Sequence, residues 1–479
     1  MRNFFGQAEI VRVLHGFNPW WSGKPCRVPD YKRLAFGACR SFLENYQLRR
    51  AVLLSGPRRV GKTTVLQQIA VSLIEEGHNP AGILYLSLDH PMLKVQSLNE
   101  ILQLYHETMI SEEKEVILLL DEIQYSKEWE TEIKLLVDHK PNYRILATGS
   151  ASVVHRERLA ESGVGRWITV PIPTLSFYEF VHFRGEQLSS ISSDMRVVDV
   201  FKLKQSEMAS LAIKMRSLMP LFQRYLLVGG FPETAGQEDI DLCQRLLRED
   251  VVERVLKRDM TALFGVRKIA DLEKLFIYLC LHSGGILLLA QCAKELETSG
   301  VTVSNHLLLL EQANLIYRLP PAALGGKRVL KARNKYYLVD AALRNAVLLR
   351  GNEILIDPGQ MGLIVETTIL RHLYAYYYRD TPEIVYWRDS SSQKEVDFIV
   401  RSPAYLMPFE VKYKNNAVLD SDGGLAAYCR SENPKFAYLI TKDEKDFQIS
   451  SIGTTKVLRI PAHIFCYLIG QAERLVWKW

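Results

Sequence analysis

No two cysteines in this sequence are spaced as CxxC; the seven stand at 26, 39, 243, 280, 292, 429 and 466. That scatter argues against a zinc knuckle, and the odd number argues against a closed disulfide framework. The expectation is buried free thiols in a reducing compartment. Long apolar runs are missing too. None approaches the roughly 18 residues that a membrane span needs, so no membrane association is expected. The opening MRNFFGQAEIVRVLHG is interrupted by Gln and Glu and lacks a small-residue cleavage site. It does not read as a signal peptide, and a cytoplasmic location is expected. There is no internal repeat and no low-complexity tract. Charge of one sign is scarce: 60 Lys+Arg against 54 Asp+Glu leave +6 over 479 residues. Such an excess does not establish a nucleic-acid partner, and only its local distribution can speak to one.

What is present is apolar. Hydrophobic residues make up 48% and charged residues 24%, the usage of packed globular domains, and the length suits roughly three of about 150 residues each. Residues 1–49 form a lead-in with aromatics and prolines, FNPWWSGKPCRVPDYKR. Residues 50–172 alternate short apolar runs (AVLLSG, GILYLSLD, VILLLDE, RILATGS, WITVPIP) with longer amphipathic stretches. This is the pattern of an α/β domain with buried parallel strands and crossover helices. Residues 173–258 turn helical, with GGFPE as a turn signal. Residues 259–350 read as three helices, the last from Thr302 after a break at Ser299-Gly300, and then a basic hairpin; that order matches a winged helix-turn-helix. Residues 351–479 read αβββαβ, from the helix GLIVETTILRHLYAYYY onward.

The chemistry starts at GPRRVGKTT. Gly56, Pro57, Arg58, Arg59, Val60, Gly61, Lys62, Thr63 and Thr64 fit the P-loop pattern between an apolar run and an amphipathic one. Gly56 and Gly61 let backbone N–H groups wrap phosphates, Lys62 reaches the β/γ-phosphates, and Thr63 ligates Mg2+. A Gly/Lys turn at an ordinary helix start is the bland alternative; the strand–loop–helix context decides against it. VILLLDE ends abruptly in two acids at the carboxyl end of a strand. Asp121 is expected to hold Mg2+ and Glu122 to polarise the attacking water. Thr148 and Ser150 in RILATGS are either γ-phosphate sensors or a polar turn. Arg166, after two glycines and before the next strand, either stabilises phosphoryl-transfer charge across a subunit boundary or is a surface arginine.

GPRRVGKTT, LLLDEIQ, ATGSAS, the Gly-Arg of GVGRW, LSFYEF and GGFPE together resemble prokaryotic AAA+-type ATPases with a C-terminal domain of poorly defined function. The resemblance covers nearly all of the chain from about Phe17. It implies an AAA+ core, a helical lid, a winged helix and a nuclease-like C-terminal domain, with ATP and Mg2+ as cofactors. It also implies that Arg166 is an arginine finger, and hence a homo-oligomer. No second sensor arginine stands out in the lid.

Two later constellations carry function as well. In EVDF and FEVK, strand period gathers Asp397, Glu410 and Lys412 on one face. Glu366 lies on an apolar helix stripe with Leu363, Leu370, Leu373 and Tyr377, a costly place for an unpaired acid. The set resembles the PD-(D/E)XK nuclease superfamily, restriction-endonuclease-like in fold, with Val396 where the motif has Pro. Glu366, Asp397 and Glu410 would hold Mg2+ or Mn2+, and Lys412 would orient water. Two acid-bearing edge strands with a surface lysine are the alternative. Ser304, Asn305 and His306 open a candidate recognition helix. KRVLKARNK, with Lys327, Arg328, Lys331, Arg333 and Lys335, is a candidate phosphate-contacting wing, or else a solvated or protein-binding hairpin. The reading is a Mg2+-dependent ATPase acting on DNA, with metal-dependent cleavage; its rival is a nucleotide-dependent switch or scaffold that binds a protein partner.

Overall fold

The computed structural model describes residues 6–149, 165–186, 191–266, 268–322, 333–380, 382–389 and 391–476. It divides into two compact units, Met1–Ile172 and Pro173–Val476. Among the described residues no helix is long and apolar enough to cross a membrane. Six cysteines are buried free thiols, and Cys26 is half-buried.

The first unit is built on five strands: β1 (Ala51–Ser55), β2 (Ile83–Ser87), β3 (Val116–Asp121), β4 (Tyr143–Gly149) and β5 (Trp167–Pro171). All pair in parallel, in the order β2-β3-β4-β1-β5. Every residue of β1 and β3 is buried, as strands covered on both faces require, and this is why their sequences are continuous apolar runs instead of alternating ones. The order places the carboxyl ends of β1, β4 and β3 side by side.

The lead-in is not a separate segment. Helix α1 (Gln7–Phe17) and its sequel belong to this unit. The Asn18 side chain takes the Tyr85 N–H at 2.7 Å and donates to the Tyr85 carbonyl at 2.9 Å, while Trp20 and Trp21 both donate to the Ile83 carbonyl at 3.1 Å. These side chains satisfy backbone groups on the exposed edge of β2, where an unpaired strand would otherwise invite association.

In the second unit the SFYEF helix, Phe177–Phe183, starts with a reciprocal cap between Ser176 and Glu179. It packs on the last helix, Ala462–Val476, so closely that a Cβ on Gly470 would lie 2.9 Å from the Ser176 hydroxyl. The Phe177 N–H donates to His372 Nε2 at 3.0 Å. The helices expected as a lid are thus built into the body of this unit. GGFPE has a physical cause as well. Gly229 is left-handed at φ +74°, and a Cβ on Gly230 would lie 2.4 Å from the Leu175 carbonyl oxygen. The Gly230 N–H is taken by Asp340 at 2.9 Å.

Three helices follow, Ile269–Leu281, Leu289–Glu295 and Gly300–Gln312. The chain does break between the second and third helices, with the third starting at Gly300, two residues before the expected Thr302. The Ser299 hydroxyl caps it by accepting the Thr302 N–H at 3.1 Å. Strands β6 (Ile316–Leu319) and β7 (Lys335–Leu338) then pair as an antiparallel ribbon.

Helix Pro358–Tyr377 leads into β8 (Glu383–Arg388), β9 (Glu395–Ser402), β10 (Tyr405–Lys412), helix Gly424–Glu432 and β11 (Phe436–Thr441). This is the expected αβββαβ order. A hairpin of β12 (Gln448–Ile452) and β13 (Thr455–Pro461) extends it, and the sheet runs β12-β13-β11-β10-β9-β8. Arg371 and Glu473 pair at 3.1 Å, both almost fully buried, between the first and last helices of this segment. Breaking such a pair leaves one charge alone and typically costs about 3–5 kcal/mol.

Candidate functional site

The P-loop links β1 to helix α2 (Lys62–Glu75). A side chain at Gly56 is excluded, since a Cβ would lie 2.1 Å from the Ile172 carbonyl oxygen. Arg59 and Gly61 turn the loop through left-handed backbone at φ +62° and +94°. Val60 is buried, and its carbonyl accepts from Arg33 at 2.6 Å. Arg58 reaches the Tyr125 hydroxyl at 3.4 Å. Lys62, 5% exposed, donates to the carbonyls of Gly56 at 3.0 Å and Pro57 at 2.8 Å, so its ammonium lies inside the loop. Thr64 stands half-buried in the first turn.

Asp121 ends β3 and is 3% exposed. Its carboxylate gathers three hydroxyls: Thr63 at 2.7 Å, Tyr85 at 3.1 Å, and Thr148. Burial, helped by the adjacent Glu122 charge, raises its pKa against those hydrogen bonds. The Thr148 hydroxyl also accepts the Glu122 N–H at 3.0 Å, joining the two acids through one side chain. Glu122 is left-handed at φ +55°, and Gln124 donates to its carboxylate. Left-handed backbone on a non-glycine residue is strained and collects at functional sites; here it re-aims the side chain just past the strand end. Ser150 lies outside the described residues.

Arg166 is at the far edge of the sheet. Its carbonyl accepts the Ala51 N–H at 2.8 Å, where β1 begins, while the P-loop follows Ser55 at the other end. Four residue steps at about 3.3 Å each separate the two edges by roughly 13 Å. Its guanidinium pairs with Asp138 at 3.3 Å. The position is remote from this chain's own P-loop.

In the second unit Glu366, Asp397 and Glu410 interact electrostatically, and Lys412 stands 3.8 Å from Glu410. Burial first, then repulsion from Asp397, pushes Glu366 and Glu410 up to about 8. Asp397 is also raised by burial, although it accepts the Val411 N–H at 2.7 Å. Glu366 accepts from the Tyr337 hydroxyl at 2.5 Å. Glu410 Oε2 is buried without a hydrogen bond. Among the described residues no three His, Cys, Asp or Glu side chains stand ready to hold a metal together. The donor chemistry and the orphaned Glu410 oxygen nevertheless fit a hard divalent cation.

Two expected DNA contacts are corrected. Lys335 is 3% exposed and pairs with Glu395 within the carboxylate cluster. His306 is 9% exposed on the inner face of its helix, where burial lowers its pKa. Ser304, Asn305 and Arg333 are exposed. Lys327, Arg328 and Lys331 lie outside the described residues. Three site residues escape the sequence reading. Glu395 shares a face with Asp397 by strand period, a signal that was there to find. Tyr337 shares a face with Lys335 in the same way, but nothing local shows that the ribbon meets the carboxylates. Tyr85 has no local signal, because only strand pairing brings β2 beside β3.

An AAA domain family model matches residues 48–181, and two models for domains of unknown function, DUF8612 and DUF4143, match residues 219–353 and 361–463. An uncharacterized protein of Haemophilus influenzae is 26% identical over 76% of this chain and 82% of its own length; one of Methanocaldococcus jannaschii is 27% identical over 76% and 75%. Among solved structures, AMPPCP-bound DnaA from Aquifex aeolicus aligns over 60% of this chain and 90% of its own, at 19% identity and a TM-score of 0.26. A DNA polymerase III gamma subunit-related protein from Thermotoga maritima aligns over 58% and 97%, at 11% identity and a TM-score of 0.25. With scores this low, the assignment rests on the family match and on the loop itself. The Gly56–Thr64 cradle, the Asp121 carboxylate at its mouth and the match over residues 48–181 mark an AAA-type, nucleotide-binding P-loop domain.

Proposed function

We propose that the chain is a Mg2+-dependent ATPase that couples hydrolysis to binding or remodelling of DNA. The observation that carries the ATPase reading is the hydroxyl network on Asp121, with Thr63 at 2.7 Å from one direction and Thr148 from the other. It ties the P-loop helix, the acidic strand end and the sensor strand to one carboxylate. Backbone N–H groups from Arg58 to Thr63 would cradle the phosphates, and Lys62 would leave its carbonyl partners for them. Thr63 and Asp121 would hold Mg2+, which neutralises phosphate charge when bound. Glu122 would orient the water, and Arg166 would reach the phosphates of the next subunit in a homo-oligomer.

Residues 269–338 support a winged helix as the DNA-contacting part. Ser304 and Asn305 face solvent near the start of the third helix, and Arg333 is exposed ahead of β7. The basic run from Lys327 to Arg333 would contact phosphate. The C-terminal carboxylates support a nuclease-like metal site, in which Lys412 would orient water toward a DNA phosphate. The rival reading, a nucleotide-dependent switch or scaffold for a protein partner, draws on one observation: the Lys335 ammonium already neutralises part of that carboxylate cluster.

ATP turnover measured with single-stranded, duplex and branched DNA separates the readings, with stimulation by at least one form expected. Replacing Arg328, Lys331 and Arg333 by Glu should weaken DNA binding and flatten its salt dependence. Each lost phosphate contact lowers the slope of log affinity against log salt by about 0.9 on duplex. An unchanged slope, with turnover indifferent to every DNA form, favours the switch.

A further inference from the structure

We propose that Lys335 is an internal counter-ion that holds the C-terminal carboxylate cluster closed in the metal-free chain, and that a divalent cation enters by displacing it. The proposal rests on the reading of Glu366, Asp397 and Glu410 as a divalent-metal site.

An ammonium buried to 3% exposure is among the costliest side chains to remove from water unless opposite charge surrounds it. Lys335 has that surrounding. Its Nζ pairs with Glu395, feels the charges of Glu366 and Asp397 as well, and lies 5.2 Å from the centre of the Tyr386 ring. None of these partners is on its own ribbon. Lys335 and Tyr337 both come from β7, in the segment matched over residues 219–353, while the four carboxylates come from the segment after it. The cluster is therefore a composite of two segments of the chain.

The ribbon is fastened where it delivers these side chains. Beyond β6 the backbone joins the edge strand β8, with the Ala322 N–H on the Tyr386 carbonyl at 2.6 Å and the Tyr386 N–H on the Pro320 carbonyl at 3.0 Å. The Tyr386 hydroxyl donates to the Arg333 carbonyl at 2.5 Å, two residues before Lys335. The Tyr337 hydroxyl holds Glu366. The flexible four-carbon stem of Lys335 lets its ammonium leave while the ribbon stays fastened, and the carboxylates, which do not stand ready for a metal among the described residues, shift to take the new occupant.

One ammonium does not complete the set. Glu410 Oε2 remains buried without a hydrogen bond, and Lys412 approaches the other Glu410 oxygen only to 3.8 Å. A dication supplies twice the charge of Lys335 and takes several oxygens at once. It would also repel the Lys335 ammonium, which is lodged among the carboxylates where water screens little, and so favour its displacement.

The test uses the full chain without nucleotide. Free Mn2+ is measured by electron paramagnetic resonance during a titration, and the site is identified by its loss in Glu410→Gln. Lys335→Met should bind Mn2+ about tenfold to a hundredfold more tightly than the unchanged chain, the scale on which neighbours of metal ligands act. Its thermal midpoint should fall without metal and be raised by Mn2+ more than that of the unchanged chain. If Lys335→Met folds poorly, Lys335→Met with Glu395→Gln removes the orphaned acid and should bind Mn2+ with the same gain. Equal or weaker binding in the Lys335 variants overturns the counter-ion role but leaves the metal site standing. No Mn2+ binding by any of the proteins removes the metal reading itself, and the cluster is then a salt-bridged core.

Discussion

Replacing Glu122 by Gln is expected to leave ATP binding intact and to slow phosphate release by about 100-fold or more, the scale of a lost general base. The separation follows from the division of labour between two adjacent acids. Asp121 is buried and takes hydroxyls from Thr63, Tyr85 and Thr148, and its proposed part is to hold the metal. Glu122 lies one residue further, on left-handed backbone at φ +55°, and its carboxylate accepts from Gln124. Gln is isosteric and tolerates the same backbone, and its amide oxygen can still accept from Gln124. The substitution therefore removes the carboxylate charge, proposed to polarise water, and little else. Nucleotide retention by a fluorescent ATP analogue, read beside phosphate release, checks both halves. Hydrolysis at the unchanged rate would show that Glu122 is not the base.

Arg166→Ala should lose turnover by about 10³-fold, as arginine fingers do, while ATP still binds. On the proposed reading this is an intersubunit effect. Arg166 begins the strand edge opposite the P-loop, roughly 13 Å away by strand rise, and its pairing with Asp138 is half-exposed and worth little to stability. A fold defect is therefore not expected. Mixing Arg166→Ala with Lys62→Ala should restore part of the turnover: the second protein contributes an intact Arg166 to the first protein's intact P-loop. A strictly monomeric chain with full activity, or mixtures as inactive as their components, would rule out action between subunits.

The parts of the molecule visible in the sequence are those whose signal is local. The five parallel strands were legible because burial on both faces demands continuous runs such as AVLLS and VILLLD. Gly56-to-Thr64 was legible because the phosphate cradle needs glycine at fixed positions. The αβββαβ order was read in advance, but the β12–β13 hairpin and the helix after it were not separated. β13 pairs in parallel with β11 although it follows it closely, crossing over β12, and no local pattern announces that crossover. Lys335 shows the limit most sharply. As one of five basic residues in nine it reads as solvated wing, yet the ribbon carries it into a cluster of acids from residues 366 to 410. His306 misled in a related way, because a polar side chain near a helix start looks accessible until the opposite face is known to be solvent. The lead-in reads in sequence only as an aromatic- and proline-containing segment and GGFPE only as a turn signal; the capped sheet edge and the close backbone approach that explain them appear only in three dimensions.

The central claim, that this chain binds and hydrolyses ATP at Gly56–Thr64, is tested most directly by steady-state phosphate release from the purified full chain with Mg2+, beside Lys62→Ala. The Lys62 ammonium is lodged in the loop, held by the Gly56 and Pro57 carbonyls, and on the proposed reading phosphate would replace them. The expected result is Mg2+-dependent turnover by the unchanged chain and none above background by Lys62→Ala. Equal rates for the two proteins, or no nucleotide binding by the unchanged chain, would contradict it.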